Sequence, residues 1–220
     1  MKIAAVPVKD LLNAKQRLVP ALEPARRVEL TRAMLRDVLR TLEAAGLDGV
    51  WVITRDAEVA ALARAFGVEI LREHDNRGHT AAVAFAQDEA TRRGADVFLT
   101  VPGDVPCVTI EEIASLARAA GDRRPAAVFV PSRSGLGTNG VALTPPGVMP
   151  LTFGEPSFAK HLAAARARDL VPRVLEQAGL GLDVDGPDDL RALLADGAHT
   201  ESGRLVASWE VVQPVASALR

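Results

Sequence analysis

Apolar residues follow two rhythms along this chain, and the alternation between them predicts a sheet wrapped by helices. Ile3-Ala4-Ala5-Val6-Pro7-Val8 is an unbroken apolar run, as expected of a strand buried on both faces of a parallel sheet. From Pro24 to Ala45 the pattern shifts to helical spacing, with Val28, Thr31, Leu35, Val38 and Leu42 on one side and Gly46 as the stop. Residues 49–54 read as a second strand, Ala57 to Phe66 as a helix closed by Gly67, and residues 68–71 as a third strand. The alternation continues with a helix from Thr80 to Arg93, a strand from Asp96 to Val101, a helix from Ile110 to Ala120 and a strand from Ala126 to Val130. Such βα alternation predicts a single α/β, Rossmann-like domain whose mostly parallel sheet carries helices on both faces. After Pro131 the rhythm changes to a Gly-rich loop, a short strand at Val141 to Leu143, and a helix near Ser157 to Ala167. The domain is expected to span residues 1–196, with residues 197–220 as a tail forming an extra strand or the arm of a homodimer.

Composition narrows the function classes. With 48% hydrophobic and 25% charged residues and a formal charge of −2, the 220-residue chain has no basic excess for nucleic acid. It contains no apolar run near the ~20 residues of a membrane span, and its start does not resemble a signal peptide, so a cytoplasmic protein is expected. A single cysteine, Cys107, and four histidines provide neither an internal disulfide nor a Cys/His zinc cluster. Any metal is expected on oxygen ligands, which suits Mg²⁺.

Candidate chemistry gathers after the strands. Lys9, Lys15 and Arg17 place three cations in nine residues just beyond the first strand, at the carboxyl edge where open α/β sheets bind ligands. They suit a triphosphate, Arg17 through a forked contact. In Pro102-Gly103-Asp104-Val105-Pro106 a carboxylate follows a buried strand directly. Asp104 is not needed as a helix cap, because Thr109 with Glu112 approximates a capping box for the next helix. In Leu182-Asp183-Val184-Asp185-Gly186-Pro187-Asp188-Asp189-Leu190 the last two aspartates suit a helix dipole, which leaves Asp183 and Asp185 to join Asp104 around Mg²⁺. Ser134 to Gly140 contains a literal G-x-G-x-x-G, but Val141-Ala142-Leu143-Thr144-Pro145-Pro146 follows, which cannot open the helix a dinucleotide site requires. An anion-binding loop with Thr138 and Asn139 as donors fits better. Phe153-Gly154-Glu155-Pro156-Ser157-Phe158-Ala159-Lys160-His161 places Ser157 at a helix start, and His161 reads equally as a packing residue or a ligand contact.

Together, Val6 to Leu18, Pro102 to Pro106, Gly137-Thr138-Asn139, Phe153 to His161 and Leu182 to Leu190 resemble the guanylyltransferases of coenzyme F420 biosynthesis, over residues 1 to about 196. The resemblance implies a nucleotide-diphospho-sugar-transferase-like fold. It also implies transfer of GMP from GTP to 2-phospholactate, phosphoenolpyruvate or 3-phosphoglycerate, with release of pyrophosphate. By similarity, Asp104, Asp183 and Asp185 fall on metal-binding carboxylates, and Thr138, Gly154 and Ser157 on positions that hold the acid's carboxylate. Gly78-His79-Thr80 departs from the Leu-Asn pair of many relatives, and Gly186 replaces a common Thr. A molybdenum-cofactor nucleotidyltransferase is a rival, weakened because residues 9–17 contain no glycine; a non-catalytic GTP-binding regulator is another.

Overall fold

The computed structural model describes residues 1–9, 11, 15–72 and 78–209. Ala14 of the first basic segment and residues 210–220 of the tail lie outside the described residues. The strands are β1 (Lys2–Pro7), β2 (Gly49–Ile53), β3 (Glu69–Leu71), β4 (Val97–Thr100), β5 (Ala126–Pro131), β6 (Thr138–Thr144) and β7 (Arg173–Val174). They form one sheet in the order β3-β2-β1-β4-β6-β5-β7. β1 runs parallel to β2 and β4, β2 to β3, and β5 to β7, while β6 is antiparallel to both of its neighbours. The mostly parallel sheet expected from the alternation is therefore present.

Each strand of the sheet's centre feeds two cores by the period-two alternation of its side chains. Ala4, Val6, Val52 and Leu99 point to one face, against α1 (Pro24–Ala44), α2 (Ala57–Arg64) and α4 (Ile110–Gly121). Ile3, Ala5, Trp51, Ile53 and Phe98 point to the other, against α3 (His79–Arg92) and α5 (Ser157–Arg166). Burying one such Val, Leu, Ile or Phe contributes about 1.5–3 kcal/mol, and this drive fixes strand register. Caps set the helix starts. Asp56 accepts from the amides of Glu58 and Val59 at the start of α2, and Thr109 and Glu112 form the expected capping box at the start of α4.

The excursion after Pro131 departs from the expectation. Thr138-Asn139-Gly140 is not loop but the first part of β6, because a bulge between Val130 and Pro131 lets the hairpin continue pairing to Pro131 and Thr138. Gly140 is closely packed there: a Cβ would lie 2.7 Å from Leu180 Cδ2 and 3.1 Å from Val130 Cβ.

The chain then forms α6 (Ala178–Gly181), α7 (Pro187–Asp196) and α8 (Glu201–Ser208). Residues 201–208 are thus helix rather than an extra strand. Buried Asp37 of α1 anchors α8 by accepting from the amides of Glu201 (2.8 Å) and Ser202 (2.9 Å) and from Ser202 Oγ (2.8 Å). Leu182, Val184, Leu190, Leu193 and Val206 pack with Leu30 and Met34 in a third cluster. The second acidic segment is thereby pressed against α1. No helix among the described residues is long and apolar enough to cross a membrane.

Candidate active site

A cleft of about 480 Å³ opens beyond the carboxyl ends of β1 and β4, walled by residues of α1, α3, β6 and the loop before α5. Nine of the eleven residues singled out in the sequence line it: Lys9, Lys15, Asp104, Thr138, Asn139, Gly154, Ser157, Asp183 and Asp185. A close approach at Gly103 and one backbone hydrogen bond bring the acidic segments together. Gly103 passes so close to α1 that a Cβ would lie 3.3 Å from Val8 and 3.4 Å from Leu35, and the Asp104 carbonyl accepts from Val184 N–H at 3.0 Å. The β4 loop and the Asp183–Asp185 segment therefore face the cleft side by side.

Lys15 stands between them. Its backbone is left-handed (φ 57°) just before a 3₁₀ turn at Gln16–Leu18, a conformation costing a non-glycine residue about 1–2 kcal/mol. Its ammonium donates to Asp104 Oδ2 at 2.5 Å and Asp185 Oδ1 at 2.8 Å, with its side chain 6% exposed. Burial alone lowers its pKa, but the charges of Asp104 and Asp185 outweigh burial and hold it above the ordinary lysine value. Arg17 differs: its guanidinium is 70% exposed, 3.8 Å from Asp185, and it is not among the residues that wall the cleft. Burial, reinforced by Asp104 and Asp185, raises the pKa of Asp183.

The expected ligand set is not converged. Among the described residues, no group of three or more His, Cys, Asp or Glu is arranged to hold a metal ion. Lys15 occupies the space between Asp104 and Asp185, and Asp183 Oδ1 accepts from Asn139 Nδ2 at 3.0 Å. Asn139 also donates to the carbonyls of Leu180 and Gly181, both at 3.1 Å. Its amide is thus committed to fixing Asp183 and is not the substrate donor expected. The donor set nevertheless fits a hard divalent cation. The cleft is lined by Asp104, Asp183, Asp185 and Glu155 against Lys9 and Lys15, and the buried Oδ1 of Asp104 has no hydrogen-bond partner.

A neutral pocket lies across the cleft. Thr138 Oγ1 is 3.0 Å from His161 Nδ1 and 3.4 Å from Ser157 Oγ, while His161 Nε2 accepts from Thr152 N–H at 3.0 Å. That acceptor role places the imidazole proton on Nδ1, so His161 donates to Thr138. His161 is 1% exposed and stacked on Phe129, so it is not the direct ligand contact entertained from sequence and reaches the cleft only through Thr138. With its oxygen accepting from His161 and Ser157, Thr138 keeps its own O–H to donate outward. Gly154 (φ 102°) shapes the turn into α5.

His79 and Phe153 also line the cleft, rings 4.5 Å apart, and sequence reasoning treated His79 only as a departure from relatives. Thr31 lines it too; a polar residue at an apolar position of the α1 stripe was the available signal. Burial lowers the pKa of both His79 and His161 to about 4, with Lys9 adding to the effect at His79 and Asp104 opposing it. Between pH 6.5 and 4 the unfolded chain therefore binds protons that the folded chain refuses, and stability falls as pH drops through that window. Denaturant unfolding should show a shallower fall for His161→Gln; an unchanged slope would mean that the ring takes up its proton alike in the folded and unfolded chains.

A family model described as "Guanylyl transferase CofC like" matches residues 1–214. The chain belongs to that family. CofC-like relatives include a phosphoenolpyruvate guanylyltransferase of Rubrobacter xylanophilus, 40% identical over 88% of this chain and 94% of its own. A phosphoenolpyruvate guanylyltransferase of Sphaerobacter thermophilus is 41% identical over 87% and 91%. A 2-phospho-L-lactate guanylyltransferase of Methanothermobacter thermautotrophicus is 35% identical over 90% and 86%. Among solved structures, a nucleotide-diphospho-sugar transferase from Desulfovibrio desulfuricans superposes with a TM-score of 0.80 at 16% identity, covering 95% of both chains. Rv0371c of Mycobacterium tuberculosis, solved with manganese, gives 0.58 at 21% identity over 88% of this chain and 97% of its own. The CofC-like chain thus has the nucleotide-diphospho-sugar-transferase fold.

Proposed function

We propose that this chain transfers GMP from GTP to a phosphorylated three-carbon acid in coenzyme F420 biosynthesis, as a cytoplasmic enzyme. The observation that carries the reading is the division of one cleft into a charged half, where Lys15 meets Asp104 and Asp185, and a neutral hydroxyl half built on Thr138. A nucleotide triphosphate and a small acid need such different surroundings within reach of each other. Phosphoenolpyruvate is the acceptor we favour, as the name carried by the relatives at 40% and 41% identity.

In the reaction, an oxygen of the acid's phosphate attacks the α-phosphorus of GTP. The bond from that phosphorus to the bridging oxygen breaks, and pyrophosphate leaves with the electron pair. The attacking group is already largely dianionic near neutral pH, its second pKa being roughly 6, so no side chain has to remove a proton. Lys15 and Lys9 face the triphosphate, with Arg17 at the rim; Thr138, Ser157 and the Gly154 turn receive the acid's carboxylate. Asp104, Asp183 and Asp185 would hold Mg²⁺, which when bound supplies charge neutralisation between these carboxylates and the phosphates. Catalysis then rests on positioning and preorganised charge.

The test is product analysis. Purified protein with GTP and Mg²⁺ should give a guanosine diphosphate-linked acid and pyrophosphate with phosphoenolpyruvate, read by mass spectrometry. Arms with 2-phospholactate and 3-phosphoglycerate compare the acceptors. Absence of a guanylylated product with all three acids would sink the reading, and a product with 2-phospholactate alone would correct the acceptor.

A further inference from the structure

Outside the cleft, the start of α1 holds a charge the proposed reaction does not use. Arg27 is 7% exposed, and its Nε and Nη1 are buried without any hydrogen-bond partner. Guanidinium cannot shed its proton to escape burial, so these donors are left without an acceptor in the free protein. The surroundings sharpen the anomaly. Helix α1 is 21 residues long, yet no side chain caps its amino terminus, and its first turn carries no acidic residue. Two arginines sit there instead, at the positive end of the dipole, where cations are disfavoured. Arg26 lies over the Trp209 ring, 5.5 Å from its centroid, whereas Arg27 lines a concavity of about 360 Å³ with residues 19–24. Glu23 on its rim is exposed and forms no ion pair with Arg27.

We infer that Arg27 and the amino-terminal amides of α1 form an oxyanion site for a phosphate-type group, distinct from the aspartate and threonine pockets of the cleft. The chemistry is specific: a guanidinium offers forked donors matched to phosphate, and an uncapped helix start adds backbone N–H groups and dipole. The location suits the same chemistry. Thr31, one turn further along α1, lines the cleft, so Arg27 sits only about 6 Å along the helix axis from a cleft residue. The oxyanion is either the terminal phosphate of a bound nucleoside triphosphate or free pyrophosphate.

The experiment compares wild type with Arg27→Met, titrated with inorganic pyrophosphate without nucleotide or divalent cation, against a chloride control. Without pyrophosphate, Arg27→Met should melt at or above the wild-type temperature, because an unmatched buried charge is replaced by an apolar side chain. Pyrophosphate at a hundredfold excess over the wild-type Kd should raise the wild-type Tm by about 5 °C and the variant, which keeps the cleft lysines, by less than half as much. The Arg27 Nε–H resonance of the wild type should shift during the titration. A variant that is destabilised or unfolded would show that Arg27 has a protein partner, and equal responses in both proteins would place the anion elsewhere; either result overturns the inference. The source is then read from turnover. A KM for GTP raised about tenfold with kcat held marks the terminal phosphate as ligand. An unchanged KM with weakened inhibition by pyrophosphate marks the free ion, and no change in either overturns the site. The binding arms need no catalysis, so failure of guanylyl transfer and failure of this site are separate results.

Discussion

Asp104→Asn is expected to lower pyrophosphate release from GTP and phosphoenolpyruvate by at least about 10³-fold while leaving the fold intact. The backbone at this position is held by its neighbours rather than by the carboxylate. Gly103 is wedged against Val8 and Leu35, and the Asp104 carbonyl is bonded to Val184 N–H. Asparagine keeps the shape of the side chain but puts a neutral amide where the buried Oδ1 now has no partner. Lys15 keeps Asp185 as an ion-pair partner at 2.8 Å. The Tm should consequently move by no more than about 4 °C, the equivalent of roughly 1 kcal/mol in a domain of this size. Initial rates and a melting curve on the same preparation decide the matter. A variant retaining a tenth of the wild-type rate would remove Asp104 from the reaction, and a collapsed melting curve would make its role structural.

Asp104 was legible in the sequence because two independent patterns agreed there: a buried run from Asp96 to Val101 ending in Pro-Gly-Asp, and a separate cap for the next helix in Thr109. The sheet was legible for a similar reason. Continuous apolar runs such as Ile3 to Val8 admit little but a strand covered on both faces. What failed did so where tertiary contacts overrule local pattern. Thr138-Asn139-Gly140 looks like loop because Gly and Asn are poor strand formers, yet the bulge at Val130/Pro131 and the close approach of Leu180 make Gly140 the residue that fits. In Glu201 to Ser208, Gly203 argues against a helix, but its missing Cβ is what lets α8 cross Gly197, whose carbonyl oxygen would lie 2.0 Å from it. Side-chain partnerships were least visible of all. That Asn139 serves Asp183, and that His161 acts on the cleft through Thr138, depend on strands and helices brought together across 44 and 23 residues.

Lys15→Met should divide two effects that a simple loss of positive charge would not separate. Methionine preserves most of the volume of the buried stem but removes the ammonium that lies 2.5 Å from Asp104 and 2.8 Å from Asp185. Turnover with GTP should fall by about 10²–10³-fold, since the triphosphate loses a preorganised cation beside its leaving group. Affinity for Mg²⁺ or Mn²⁺ without nucleotide should move the other way, tightening at least about tenfold, because the carboxylates no longer have an internal cation to be displaced. The free variant should also be less stable than wild type, with Asp104, Asp183 and Asp185 now facing one another, and added divalent cation should restore its Tm. The left-handed backbone of Lys15 fits this exchange: a strained residue on a short turn is held in place only while its side chain has partners. Calorimetric titration reads the cation term directly. Weaker cation binding in Lys15→Met would show that the ammonium does not stand in for a divalent ion, and would leave Lys15 as a ligand of the phosphates alone.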